Sequence, residues 1–165
     1  MIRTFVFAAL MAFGLSAAPA LAQDYAPQRV IKAVDLDDLK AVVESLDHTV
    51  IEEQSIGEIS LTASDGNGTK YLLIGNACNL DGVAGCQGVA MQLRFDGDPG
   101  VSDTDLARAN LSQAAVSTWR DTATGTIGIT RYVVLDHGVT MANLRENVLV
   151  LLGLAPSVVN AMLAE

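Results

Sequence analysis

The stretch YLLIGNACNLDGVAGCQGVAMQLRF, residues 71–95, decides the fold of this chain. Its first five residues form a continuous apolar run, which is typical of a buried β-strand. Residues 89–95 alternate large apolar side chains with smaller or polar ones, which predicts a second, half-buried strand. The loop between these strands contains both cysteines of the sequence, Cys78 and Cys86.

Further strand patterns precede and follow this segment. Residues 59–63 alternate in the same way, and the turn-forming run DGNG at residues 65–68 connects them to the strand that starts at Tyr71. This pattern predicts a hairpin. Residues 49–54, TVIEEQ, are a candidate for one more strand. Downstream, the β-rich runs AAVSTWR and TIGITRYVVLD are separated by DTATG and predict a second hairpin.

Other segments have the period of amphipathic helices. The helix predicted at residues 35–46 begins with Asp35 as its N-terminal cap. Ser102, three residues before Asp105, has the spacing of a cap for the helix predicted at residues 103–111. A further helix begins at Thr140 and should end at Pro156, with a last short helix at residues 157–164. The order predicts one small α+β domain, in which helices cover one face of a mostly antiparallel sheet of five to six strands.

The N-terminal residues 1–22 have the features of a secretory signal peptide. Arg3 precedes an uncharged apolar stretch at residues 5–15, and Ala-Leu-Ala at residues 20–22 fits the small-residue rule of signal peptidase. Cleavage is therefore predicted before Gln23. The alternative is a helix that stays in the membrane, but the apolar stretch is shorter than the roughly 20 residues that a bilayer requires.

This cleavage leaves a leader at residues 23–34 and one domain at residues 35–165. We expect an exported protein, periplasmic or secreted, with no membrane span after signal cleavage. The formal net charge of the chain is −9, and an anionic surface repels phosphate backbones. We therefore expect no nucleic-acid partner.

Cys78 and Cys86 could form a metal site, a redox centre or a disulfide. A structural zinc site usually takes four ligands with thiolates close together, and a thioredoxin-like centre has the spacing C-x-x-C. The spacing here is C-x7-C. Because an exported chain enters an oxidising compartment, a Cys78–Cys86 disulfide is favoured, with free thiols or a metal as the alternatives.

Two acid–histidine pairs are candidates for catalysis. Asp47-His48 follows the first helix, and Asp136-His137 lies in the turn after the last strand. A carboxylate can orient an imidazole as a general base, but adjacent side chains seldom face each other well enough for that. No G-x-S-x-G or H-E-x-x-H motif accompanies either pair. Neither pair is therefore predicted to be catalytic.

The run VLVLLGLAP near the C-terminus has more apolar residues than one helix face can bury. A helix that is apolar all round is either central in its own core or packed against a partner. The candidate partner surface consists of Leu149, Val150, Leu152 and Leu154. The partner would be a second copy of the chain or another protein.

The order of these features resembles the YbjN-domain proteins of bacteria, and their exported members in particular. The resemblance covers residues 36–154 and is carried by the segments YLLIGNAC, VAMQLRF, LARAN and VVLDHGVTMANLRENV. Individual positions that support it are Cys78, Cys86, Asn110, Asp136, Gly138 and Leu144. The resemblance implies a fold similar to that of type III secretion chaperones, which often pair and present sheet and helix surfaces to another polypeptide. The family is described as proposed regulators of sensory transduction, and it has no established catalytic residues to carry over.

The predicted function is that of a non-enzymatic exported protein, a chaperone-like or regulatory module that binds a protein or peptide and can form a homodimer. No cofactor, metal ion or catalytic residue is expected. One alternative is a hydrolase or metal-dependent enzyme that uses Asp136 and His137. The other is a structural component of the cell envelope.

Overall fold

The computed structural model describes residues 25–98 and 100–164, so the predicted signal peptide at residues 1–22 lies outside the described part of the chain. The strands are β1 (Val30–Ile31), β2 (Thr49–Glu53), β3 (Ser60–Ser64), β4 (Lys70–Cys78), β5 (Cys86–Phe95), β6 (Ser117–Arg120), β7 (Ile127–Val134) and β8 (Val139–Thr140). The helices are α1 (Leu36–Glu44), α2 (Asp103–Ser112) and α3 (Met141–Leu163). A short 3₁₀ turn, Leu80–Gly82, lies in the cysteine loop.

The strands form two antiparallel sheets. The main sheet has six strands in the order β2-β3-β4-β5-β7-β6, and the second sheet pairs β1 with β8. α2 lies in the chain between β5 and β6. β5 pairs with β7, and β6 pairs with β7 at the edge of the sheet. The structure confirms the predicted α+β class, the mostly antiparallel sheet and the hairpins. The candidate strand at residues 49–54 is the edge strand β2.

The helices pack on one face of the main sheet. On that face, residues directly opposite each other on neighbouring strands are buried together, as Leu61 with Leu73, and Leu73 with Met91. α1 contacts β2 and β3, α3 contacts β5 and β7, and α2 contacts β6 and α3. The period of two along each strand therefore divides the sheet into a covered face and an open face.

Reciprocal caps fix the starts of the first two helices. The Asp35 carboxylate accepts a hydrogen bond of 2.9 Å from the backbone N–H of Asp38, and the Asp38 carboxylate accepts one from the backbone N–H of Asp35. Ser102 and Asp105 form the same arrangement at the start of α2. Each capping box satisfies N–H groups that a helix start otherwise leaves without partners.

α3 corrects the prediction that a helix ends at Pro156. It is one helix from Met141 to Leu163, with Pro156 inside it. A stripe of buried residues continues on both sides of the proline: Met141, Leu144, Val148, Leu151, Ala155, Val158 and Met162. Proline removes one helical hydrogen bond, but burial of this stripe against the sheet favours the continuous helix. α3 is also long and apolar enough to pass a test for membrane-spanning helices that uses length and composition alone. Core helices of water-soluble domains often pass the same test.

The segment before α1 packs into the domain. β1 pairs with β8, Val34 forms a bridge with Cys86, and both Ile31 and Val34 are buried. Arg29 forms an ion pair with the nearly buried carboxylate of Asp38 in α1. Packing therefore begins before residue 35, which is the residue at which the sequence pattern predicts the start of the domain.

Candidate binding groove

Cys78 and Cys86 are joined by a disulfide between β4 and β5. Cys86 is fully buried, and its backbone exchanges two hydrogen bonds of 2.9 Å with Val34. Cys78 is exposed. The bridge therefore connects the closed loop to the strand pair and to the segment before α1. Among the described residues, no group of three or more histidine, cysteine, aspartate or glutamate side chains is arranged to hold a metal ion.

Asp136 and His137 are both exposed in the turn between β7 and β8. They line a surface cleft of 310 Å³, whose other polar lining residues are Lys32, Asp81 and Gln87. His137 has a left-handed φ of 64°, which suits the turn that the N–H of Gly138 closes by donating to the carbonyl of Leu135. The turn therefore accounts for the conformation of His137. Because the His137 side chain is exposed, the cleft that it lines is open to water.

Asp47 and His48, the other acid–histidine pair, lie in different environments. The Nδ1 atom of His48 lies 2.9 Å from the hydroxyl of Tyr71, which is fully buried in the hydrophobic core. Burial raises the pKa of the Tyr71 hydroxyl above its ordinary value. Asp47 is exposed at the end of α1. His48 thus satisfies a buried hydroxyl, which is a structural role.

The predicted partner surface on α3 lies on more than one side of the helix. Leu149, Val150, Leu152 and Leu154 are each half-buried. Leu154 lies two turns before Ala161, whose carbonyl accepts a hydrogen bond from Arg108 of α2, so it faces α2. Leu152 is roughly 200° around the helix from Leu154 and faces the sheet side instead. Leu152 and Leu154 therefore lie on different sides of the helix, and Leu152 borders an open groove.

An apolar groove runs between the C-terminal half of α3 and the end of β5. We define the α3 groove by Phe95, Leu152, Pro156, Val159 and Leu163. It consists of two adjoining cavities of 360 and 200 Å³, which share Phe95 and Val159. Phe95 is 38% exposed and Leu163 is 57% exposed. The groove therefore presents apolar side chains that the core of the domain does not cover.

Acidic side chains lie at one end of the α3 groove. Asp96 and Asp98 line the smaller cavity, and both are exposed. The Asp98 carboxylate accepts a hydrogen bond of 2.7 Å from the backbone N–H of Gly100. A neighbouring cavity of 310 Å³ is lined by Asp98, Asp105 and Arg108. Hydrogen bonds from Ser102 hold the pKa of Asp105 below its ordinary value.

The sequence pattern identified only part of this groove. Leu152 was in the predicted partner surface, but Phe95, Pro156, Val159 and Leu163 were not. The signal in the sequence is a second stripe on α3: residues 152, 156, 159 and 163 repeat at spacings of four and three, beside the buried stripe. The assumed helix end at Pro156 concealed that repeat.

Comparison with one solved structure supports the fold. No family model matches the chain, and no curated protein matches it. Among solved structures, the chain is similar to YbjN of E. coli, described as a candidate transcription regulator, with a TM-score of 0.55 and 14% identity. The match covers 78% of this chain and 96% of YbjN. The HopA1–SchA chaperone–effector complex matches with a TM-score of 0.49 and 13% identity, over 75% of this chain and 96% of that one. The chain therefore has a YbjN-like α+β fold, as the resemblance predicts.

Proposed function

We propose that this chain is a non-enzymatic, exported domain that binds a segment of another protein in the α3 groove. The observation that carries the proposal is the groove itself. Large apolar patches that a folded core leaves uncovered commonly mark interaction sites, and this groove exposes Phe95 and Leu163 beside the half-buried Leu152. The likeness to YbjN concerns the fold alone, so the binding function rests on the groove.

Export is the second part of the proposal. It is supported by the signal-like segment at residues 1–22 and by the Cys78–Cys86 disulfide, since disulfides persist in oxidising compartments. Expression of the full chain in its source cells, followed by fractionation and N-terminal sequencing, tests this part. We expect a protein in the periplasm or medium that begins at Gln23. A cytoplasmic protein that retains residues 1–22 would contradict export.

A photo-crosslinking experiment tests the binding function. A benzophenone amino acid replaces Leu152 in the groove, and in a matched control it replaces Leu111, which is 90% exposed on α2. We expect irradiation of the native cell envelope to give one or a few discrete adducts from position 152 and none of the same adducts from position 111. Mass spectrometry identifies the attached chain.

The outcome also separates the forms of partner. An adduct between two copies of the chain identifies a homodimer, and an adduct with another polypeptide identifies a client or regulatory partner. Identical adduct patterns from both positions would show non-specific contact and would remove the groove as the binding site. An unchanged chain at both positions would leave no support for a binding module.

A further inference from the structure

We infer that the α3 groove selects a peptide segment that carries a basic side chain next to its apolar anchors. The inference rests on the proposed function, since it names the chemistry of the segment that the groove would take. Asp96 and Asp98 place negative charge at one end of the groove, directly beside its apolar lining.

Two of the acidic residues near the groove already have cationic partners within the chain. Asp105 forms an ion pair with Arg108, and Asp103 pairs with Arg120 at 3.7 Å. In the part of the chain that the structure describes, neither Asp96 nor Asp98 forms an ion pair. These two carboxylates are therefore available to a cation from outside the chain.

The nearby arginines of α2 and β6 already have partners within the chain. Arg108 also donates hydrogen bonds to the backbone carbonyls of Ala161 and Ala164 at the end of α3. Arg120 donates to the carbonyl of Val101. Both guanidinium groups are thus engaged with the backbone and with their own aspartates. Neither guanidinium group forms an ion pair with Asp96 or Asp98 in the described part of the chain.

The two unpaired aspartates lie beside the apolar lining of the groove. Asp96 directly follows Phe95, and both Asp96 and Asp98 line the 200 Å³ cavity together with Val159 and Leu163. In an extended peptide, successive residues are roughly 3.3 Å apart, and alternate side chains point to the same side. An apolar side chain in that cavity therefore brings a basic neighbour within reach of the two carboxylates. A helical segment gives the same proximity at a spacing of three or four residues.

Charge near the groove favours some apolar segments over others. The net charge of the chain is −9, so cationic segments are attracted before contact and anionic ones are repelled. Apolar burial supplies most of the affinity, whereas the carboxylates decide between partners of opposite charge. An acidic amphipathic segment could fill the same cavities but would place like charges beside Asp96 and Asp98.

A displayed library of random 12-residue peptides tests the inference. Selection on the purified wild-type protein is followed by counter-selection on Leu152→Asp, which places a charge in the groove. A parallel counter-selection uses Leu111→Asp, an equally polar change at an exposed position. We expect the peptides that Leu152→Asp loses and Leu111→Asp retains to be enriched in large apolar residues and in lysine or arginine.

The charge contribution is then measured with one selected peptide by fluorescence anisotropy. Asp96→Asn combined with Asp98→Asn should weaken binding about fivefold at low salt, whereas Asp47→Asn, an exposed acid at the end of α1, should leave it unchanged. The difference between wild type and the double variant should shrink as sodium chloride is raised from 50 to 300 mM. Circular dichroism spectra confirm that each variant is folded.

The outcomes separate failure of the inference from failure of the proposed function. If Leu152→Asp loses peptides that have no basic residue, the groove binds peptides but without the proposed charge preference. If selected peptides bind Leu152→Asp as well as wild type, binding uses another surface, and both the inference and the α3 groove as the proposed binding site fail. If the groove variants convert a dimer to a monomer, a second copy fills the groove, and both the inference and the proposed binding of another protein there fail. If no peptide is enriched and photo-crosslinking gives no adduct, both the inference and the proposed function fail.

Discussion

The indole ring of Trp119 covers Gly128, the residue directly opposite it on the neighbouring strand, on the open face of the main sheet. A β-carbon built at Gly128 would lie well under 3.0 Å from atoms of the indole ring. The Nε1–H group of Trp119 donates a hydrogen bond of 2.7 Å to the hydroxyl of Thr130. Glycine at position 128 therefore allows the only tryptophan of the chain to lie across β7.

Gly128→Ala should displace this indole ring and destabilise the β6–β7 pair. Forcing an extra carbon into a packed contact typically costs about 1–3 kcal/mol in the free energy of unfolding. Urea unfolding measures that loss, and the emission maximum of the single tryptophan should shift to longer wavelength as the ring becomes more exposed.

Gly66→Ala is the matched control, because a β-carbon there meets no atom within 4 Å. Its unfolding curve and tryptophan emission should match those of wild type. The contact would be unimportant if Gly128→Ala left both the unfolding midpoint and the emission maximum unchanged.

The Cys78–Cys86 disulfide should stabilise the β4–β5 pair. Closing a loop of this length lowers the entropy of the unfolded chain enough to contribute about 2.5 kcal/mol. Cys78→Ala combined with Cys86→Ala should lower the free energy of unfolding by about that amount, with the fold retained. Titration with a thiol reagent in denaturant should find no free thiol in the non-reduced wild-type protein. Two free thiols per chain would contradict the bridge.

The disulfide also constrains Gly75. A β-carbon at that position would lie 2.5 Å from the Sγ atom of Cys86 and 3.0 Å from a methyl carbon of Ile59. Gly75→Ala should therefore destabilise the oxidised protein more than the double alanine variant, in which the sulfur is absent. A double-mutant cycle on urea unfolding measures this coupling, and strictly additive losses would show that the sulfur is not the obstacle.

Local periodicity predicted most of the fold, whereas contacts distant in sequence were hidden. Alternation along residues 89–95 identifies β5 because one strand face must be buried. The α3 groove could not be found in that way, since Phe95 and Leu163 are brought together only by the fold. The end assigned at Pro156 was wrong because the local rule for proline carries no information about the core that holds the helix.

Asp38 is another residue for which local sequence reveals only part of the structural role. Its capping role follows from local sequence, but its ion pair with Arg29 depends on the packing of the segment before α1. Asp38→Ala should cost about 1–3 kcal/mol, because it removes a cap and leaves the guanidinium group without its partner. Trypsin should also cleave after Arg29 or Lys32 faster than in wild type.

Asp37→Ala serves as the control on the same helical turn. Its carboxylate is 63% exposed and lies 3.6 Å from Lys40, so its loss should change stability by about 0.5 kcal/mol or less. Equal losses for the two variants, with unchanged trypsin cleavage, would show that the Arg29 pair does not anchor the segment.

Tyr71 should limit the stability of the domain at alkaline pH. Because burial raises the pKa of its hydroxyl in the folded chain, folding favours the neutral form. This contribution is fully present below the unfolded pKa of about 10 and is lost as the pH rises from there toward the folded pKa. Between the two values the free energy of unfolding should fall by about 1.4 kcal/mol per pH unit from this group.

Tyr71→Phe isolates this contribution. The variant should lose about 1 kcal/mol at pH 7, since it lacks the hydrogen bond with His48, but its stability should fall less steeply than that of wild type above pH 10. Tyr132→Phe, at a side chain that is 51% exposed, should keep the wild-type slope. Urea unfolding at pH values from 8 to 12 measures the three slopes. Parallel decline in wild type and Tyr71→Phe would show that other groups cause the alkaline loss, because the Tyr71 hydroxyl is absent from the variant.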